Sequence, residues 1–216
     1  MAIQTVRVAV RPEMRDPWGE DVLYEIRHAL GITGVRDVRT ARVYRFEGIA
    51  EAEAEILARR LLAEEVFQVY TVNGPVLSGA ERVLEVAYKP GVMNPEAASL
   101  LKAARDLGIS TLAAADSSRE YAFYGALKDD DLAVITNRLL VNVTVEHVVS
   151  EPPDTLLIEG AAAPTVTYPI RDMDDAALME LSRDRLFLNL EEMRAIKAHF
   201  TFLGRDPTDC EIEVIA

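Results

Sequence analysis

Apolar and polar residues alternate from Thr5 to Arg11, and the same alternation returns from Val83 to Lys89. Such a period of two is that of a strand with one face buried. The likeness extends beyond the period. Val6-Arg7-Val8-Ala9-Val10-Arg11-Pro12 recurs as Leu84-Glu85-Val86-Ala87-Tyr88-Lys89-Pro90, at an offset of 78, and Asp16-Pro17 recurs as Asn94-Pro95. One deleted residue later, Gly31-Ile32 corresponds to Gly108-Ile109, and Arg42-x-Tyr44-x-Phe46-x-Gly48 to Arg119-x-Tyr121-x-Phe123-x-Gly125. Arg60-Leu61-Leu62 then corresponds to Arg138-Leu139-Leu140, with the offset back at 78. Glycines, prolines and aromatics kept in order indicate an internal duplication.

Each copy predicts the same elements. Asp16 and Asn94 are N-cap residues, each with proline at the first helical position, where its missing N–H costs nothing. The helix after Asp16 places Trp18, Val22, Ile26, Ala29 and Leu30 on one face, and Gly31 and Gly108 supply left-handed caps. Second strands are predicted over Val35–Glu47 and Leu112–Tyr124, ended by Gly48 and Gly125. Second helices follow over about Ala50–Ala63 and Asp129–Val141, with acid-rich first turns suited to the helix dipole. Third strands close the copies at Val66–Val72 and Val143–Val149, with residues 74–79 as the joining loop. A lone β-α-β-α-β unit of this size would be marginal. The fold class expected is therefore α+β, with two tandem repeats, residues 1–76 and 77–152, paired as a pseudo-dimer. Its helices would pack on one face of an antiparallel or mixed sheet, and the copies would meet edge to edge or face to face.

The pattern changes after Glu151. Pro152, Pro153, Gly160, Pro164 and Pro169 read as an extended linker over 153–180, with a short acidic helix from Asp172 to Arg183. Residues 181–216 read as a helical linker leading to an absent catalytic domain. Asn189 with Glu192, and Thr208 with Glu211, have capping-box spacing. The first opens a helix through Phe200 stopped by Gly204; the second opens one that meets the end of the sequence after about two turns. So short a helix is unstable by itself, which suggests a piece of something longer.

The chain has 216 residues with a net charge of −13, which disfavours phosphate backbones and anionic membranes as partners. One cysteine, Cys210, excludes an internal disulfide and multi-cysteine zinc sites. No stretch approaches a membrane span or a signal peptide, which points to the cytoplasm. No phosphate loop or nucleophile elbow occurs. Asp129-Asp130-Asp131 suits a helix start, His28, His147 and His199 are scattered, and Cys210 sits between Asp209 and Glu211, whose charge would raise its thiol pKa. No catalytic, cofactor or metal residue is therefore assigned. Arg42 and Arg119, at equivalent strand positions, are the one candidate pair, for a small anion or for the interface across the pseudo-twofold.

Lys89-Pro90-Gly91-Val92-Met93-Asn94-Pro95-Glu96, then Leu107-Gly108 and Leu139-Leu140-Val141-Asn142, resemble the small accessory subunit of phosphoribosylformylglycinamidine synthase. In that family the strand runs into Lys-Pro-Gly-x-x-Asp-Pro. The first copy matches at Arg11-Pro12, Asp16-Pro17-x-Gly19 and Leu30-Gly31, and departs at Glu13 and Glu64-Glu65. The second departs at Asn94 and at Ala97-Ala98. Leu190-Glu191-Glu192-Met193-x-x-Ile196-Lys197 and Leu203-Gly204-Arg205-Asp206-Pro207-Thr208 resemble the linker that opens the synthetase subunit of the same family.

The resemblance implies a parent enzyme that aminates formylglycinamide ribonucleotide with ATP, magnesium and ammonia from glutamine. Its nucleotide, magnesium and glutaminase residues would all lie outside this chain. The chain itself would be a non-catalytic assembly region packing with synthetase and glutaminase regions. The alternative reading is a stand-alone regulatory module binding a small anionic metabolite between its copies.

Overall fold

The computed structural model describes residues 2–157, 163–183 and 185–216. Two compact units divide the chain, Met1–Glu159 and Gly160–Ala216. In the first unit, β1 (Gln4–Val10), α1 (Pro17–His28), β2 (Val35–Glu47), α2 (Glu51–Leu57) and β3 (Gln68–Val72) are followed by β4 (Arg82–Tyr88), α3 (Ala97–Asp106), β5 (Ala114–Gly125), α4 (Asp129–Ile135) and β6 (Glu146–Val148). Both halves thus run through one element order. Each second helix also ends in a five-residue π-helical stretch, Ala58–Leu62 and Thr136–Leu140.

The six strands form one antiparallel sheet in the order β3-β1-β2-β5-β4-β6. The halves meet edge to edge through β2 and β5, the longest pairing in the sheet, running from Val35 opposite Gly125 to Glu47 opposite Ala114. Arg42 stands opposite Arg119 at its middle.

Helices cover one face of the sheet, and they do so crosswise. One core joins Val6, Val8 and Phe46 of the first half's strands to Leu57 of α2 and to Leu100 and Ala104 of α3. The other joins Leu84, Val86 and Phe123 of the second half's strands to Ile135 of α4 and to Ile26 of α1. Each core therefore takes a helix from both halves, so neither half buries its apolar residues by itself.

Several expectations shift. Pro17 does open α1, capped by the Asp16 carboxylate on the Gly19 N–H at 3.2 Å. Pro95 stays outside its helix, which begins two residues later at Ala97. The cause is the residue facing β2 and β5: a Cβ at Gly19 would sit 2.1 Å from the Val38 carbonyl oxygen, so only glycine lets the first turn lie flush on the strand. The second half has alanine there. Trp18, expected on the buried face of α1, is 58% exposed. The third strands are shorter than their alternation suggests, because turns at Glu64 and Asn142 consume their first residues; the Glu64 carbonyl accepts from Phe67 and Gln68, and the Asn142 carbonyl from Val145 and Glu146.

The second unit holds α5 (Asp175–Ser182), α6 (Leu190–Leu203) and α7 (Asp209–Ile215). Its core contains Ile170, Leu178, Met193, Phe200 and Ile212. Ile170 and Leu178 lie within the stretch expected to be an extended linker, so its later part is packed structure; residues 158–162 of that expectation lie outside the described residues. Both capping boxes form, and Gly204 closes α6 at φ 69°. The short α7 is held by tertiary contacts: Ile212 is fully buried, and Asp209 N–H donates to the Val166 carbonyl at 2.8 Å. The Glu211 carboxyl lies at about 2, held down by hydrogen bonds from Arg205 and then from the Thr208 N–H.

Candidate functional site

The seam between the halves holds the candidate pair. On β2 the residues in register with the helix-side core are Val38, Tyr44 and Phe46, which places Arg42 on that face. Arg119, between Tyr121 and Ser117 along β5, faces the same way, so both arginines lie between the two cores. Each is drawn to an acid of the second half: Arg42 pairs with Glu96 and Arg119 with Glu146. Glu96 also accepts from the Ser117 hydroxyl at 2.6 Å, and Glu146 from the Asn142 N–H at 2.9 Å. Burial opposes ionisation of Glu96, but hydrogen bonds from Ser117 and Arg42 outweigh it and hold its carboxyl below the usual range. Both guanidinium charges are thus matched by carboxylates at the junction of the halves. The four charged groups of the two pairs sum to zero.

The described helices of the first unit pack on the face of Arg42 and Arg119, yet Val43 and Ala122 on the opposite face are fully buried as well. Long charged side chains cross above them. Arg7 on β1 reaches past β2 to Glu120 on β5 at 3.0 Å. Arg45 on β2 reaches past β5 to Glu85 on β4 through two hydrogen bonds of 2.5 and 2.9 Å. The Ser118 hydroxyl donates to the same Glu85 carboxylate at 2.5 Å. Glu85 and Glu120 stand directly opposite each other in the β4–β5 register. Like charges there repel, so each acid depends on its own arginine. Burial raises the Glu85 pKa, but Arg45 and Ser118 more than reverse this and leave it lowered.

Two connecting segments run across this face from the sheet's edges. The joining loop leaves β3 and is held by Arg7 on the Gly74 carbonyl at 3.2 Å and by Tyr124 on the Ser78 carbonyl at 3.0 Å. The segment after β6 comes back to the end of β2, where the Glu47 carboxylate accepts from the Leu156 N–H at 2.6 Å and from the Thr155 hydroxyl at 3.0 Å. The Leu156 N–H is the main reason the Glu47 pKa is lowered.

The departure at Asn94 from the family pattern has a local reason. Its amide donates to the Asp116 carboxylate at 2.6 Å and to the Ser117 carbonyl at 3.1 Å, where an aspartate would meet another carboxylate. In the first half the strand position is Arg39, which donates to the Val10, Arg11 and Met14 carbonyls, and Asp16 is free to accept from Thr40. Asn94→Asp is expected to cost about 2 kcal/mol at pH 7, through a buried acceptor facing acceptors. The new carboxyl's pKa would be raised in the folded state, so its penalty shrinks as pH falls towards 5. Urea unfolding at pH 7 and pH 5 checks this, with Asp116→Asn as the restoring change.

The remaining candidates are placed singly. His28 stacks on Tyr24 at 4.0 Å, His199 meets Phe200 edge-on at 5.4 Å, and His147 lies in β6. Cys210 is exposed in the first turn of α7. Asp129 pairs with Arg82 at 3.2 Å at the start of α4. Among the described residues no three or more of His, Cys, Asp and Glu stand close enough to hold a metal ion, and no helix is long and apolar enough to cross a membrane.

Comparison with known proteins adds two family matches. Residues 4–75 match the PurS family, described as phosphoribosylformylglycinamidine (FGAM) synthase, and residues 178–216 match the formylglycinamide ribonucleotide amidotransferase linker domain. The chain is also similar to phosphoribosylformylglycinamidine synthase subunit PurL of Thermoplasma acidophilum, 51% identical over 51 residues, and of Thermoplasma volcanium, 50% identical over 48 residues. These stretches cover 23% and 22% of this chain, and only 7% and 6% of the relatives' length. The first match spans β1 to β3, and the second begins within α5 and contains α6 and α7. An accessory-type segment thus stands ahead of a linker-type segment, and both matched stretches belong to phosphoribosylformylglycinamidine synthase families.

Proposed function

We propose that this chain is the assembly region of a cytoplasmic phosphoribosylformylglycinamidine synthase in purine biosynthesis and is itself non-catalytic. The parent enzyme would use ATP, magnesium and ammonia released from glutamine to aminate formylglycinamide ribonucleotide. The observation that carries the reading is the order of an accessory-type segment and a linker-type segment in one polypeptide. Glu96, Glu85 and Glu47, three acids of the sheet unit, are spent on arginines and backbone N–H groups within the fold, in keeping with an interface role for them. On this reading nucleotide and metal are held by other regions of the enzyme, and this chain holds the synthetase and glutaminase regions in register for ammonia transfer. The anion-binding alternative is not favoured, because Arg42 and Arg119 are each matched by an acid.

The test combines this chain with synthetase and glutaminase polypeptides and supplies nitrogen either as glutamine or as an ammonium salt. The chain alone is expected to form no product and to bind no ATP by calorimetry. Adding it is expected to raise glutamine-dependent product formation at least tenfold, and ammonia-dependent formation much less. Product formed by the chain alone, stoichiometric ATP binding, or a glutamine-dependent rate that ignores its presence would overturn the proposal.

A further inference from the structure

The seam arginines border two cavities that occupy matching positions in the two halves. The second half's cavity, about 190 Å³, is lined by Asn94, Pro95, Glu96, Ser117 and Glu146 beside Arg42 and Arg119. The first half's cavity, about 240 Å³, is lined by Asp16, Pro17, Trp18, Thr40 and Gln68 beside the same arginines. By the offsets of the repeat, Glu96 stands where the first half has Trp18, and Glu146 where it has Gln68. The two acids draw both guanidinium groups towards the second half. The first half's cavity is left with aromatic and aliphatic walls, Trp18, Phe67, Tyr121, Val8 and Val10. Trp18 and Phe67 remain 58% and 43% exposed, an unusual state for two large rings beside one cavity.

We propose that this cavity binds a flat, uncharged heteroaromatic molecule of one or two fused rings. Three observations select that chemistry. The walls offer rings for stacking, a mode that tolerates any flat π-surface. The volume lies below the roughly 300 Å³ at which drug-sized ligand sites begin, which leaves space for a ring system and excludes a nucleotide with its sugar and phosphates. The charges nearby leave an excess of one carboxylate: two arginines meet Glu96 and Glu146, and Asp16 adds a further acid already committed to Gly19 and Thr40. An anion therefore gains little. A ring-edge acceptor gains more, because each arginine engages a single terminal nitrogen in its ion pair and keeps further N–H donors.

Trp18 is the one tryptophan of the chain, so its emission reports directly on the cavity it lines. Caffeine, a neutral fused-ring probe, is expected to quench that emission along a saturating curve. Benzoate, a ring carrying a carboxylate, is expected to act at least tenfold more weakly. Phe67→Ala should raise the caffeine half-saturation at least fivefold. Gln68→Glu gives the first half the acid that the second half has at Glu146, and is expected to abolish saturation by drawing a guanidinium into the cavity. Both positions are partly exposed, so circular dichroism should be unchanged in the two variants. Linear quenching by caffeine, saturation untouched by both substitutions, or tighter binding of benzoate would overturn the site.

Discussion

Arg45→Met is expected to destabilise the first unit by about 3–5 kcal/mol at pH 7, the cost of removing one partner from a buried ion pair. Arg45 has only 4% of its side chain exposed, and the Glu85 carboxylate it holds is 11% exposed. Without the arginine, Glu85 would keep its burial and its Ser118 hydrogen bond while facing Glu120 directly across β4 and β5. The pH dependence follows from the direction of the Glu85 shift. A carboxyl lowered in the folded state stabilises above its unfolded pKa, and that contribution is lost as pH falls through the folded value. In the variant Glu85 loses its largest stabilising partner and its pKa rises, so the gap between variant and parent narrows from pH 7 towards pH 4. Changing both residues, Arg45→Met with Glu85→Leu, removes the desolvated charges together and should recover most of the loss. Urea unfolding of the three proteins at both pH values measures all of this. A single variant within 1 kcal/mol of the parent at pH 7 would remove the ion pair from the account of how this face is buried.

The second large effect is expected at Gly125. It ends β5 at φ 114°, and a Cβ there would lie 2.6 Å from the Gly34 carbonyl oxygen and 2.8 Å from the Arg36 nitrogen. Both are backbone atoms and neither can swing aside. Gly125→Ala therefore combines a backbone conformation almost reserved for glycine with overpacking, each of order 1–3 kcal/mol, for a total of about 3 kcal/mol. Gly48, at the matching end of β2, has φ 95° and the Thr111 carbonyl oxygen 2.7 Å from its virtual Cβ, so a loss of similar size is expected there. Gly31→Ala separates the two causes. It has φ 68° with no atom within 4 Å of a Cβ, and should cost only the roughly 1–2 kcal/mol of a left-handed alanine. Melting temperatures of the first unit would rank the variants, at roughly 2–4 °C per kcal/mol for a unit of this size.

The long elements were the most legible in the sequence. The expected second strand, Val35–Glu47, coincides with β2, a run of thirteen residues free of glycine and proline and bounded by Gly34 and Gly48. The π-helical ends of α2 and α4 were invisible, since an i→i−5 bond has no composition of its own. The late start of α3 depended on one missing glycine opposite a strand backbone, a tertiary fact. The equivalence of Arg42 and Arg119 could be read from the repeat, whereas their acids could not: Glu96 lies 54 residues from Arg42, and Glu146 27 residues from Arg119. The charged lattice of Arg7, Glu120, Arg45 and Glu85 was hidden for the same reason, as its diagonals exist only once β2 and β5 are in register. Strand patterning announces which side chains share a face. It does not announce which strand from 40 to 113 residues away will supply the counter-charge.

The crosswise cores also set an order of events during synthesis. Val6, Val8 and Phe46 leave the ribosome well before Leu100 and Ala104, which complete the cover that α2 begins. At roughly 5–20 residues per second, some 3–12 s separate Phe46 from Ala104. For that interval the nascent first half carries a partly uncovered apolar face and the free edge of β2, both invitations to unwanted pairing. Cutting the chain between residues 76 and 77 would make the same gap permanent: the two fragments could complete their cores only by finding each other, and their stability would depend on concentration. A joining loop of a few residues turns that second-order search into a first-order closure.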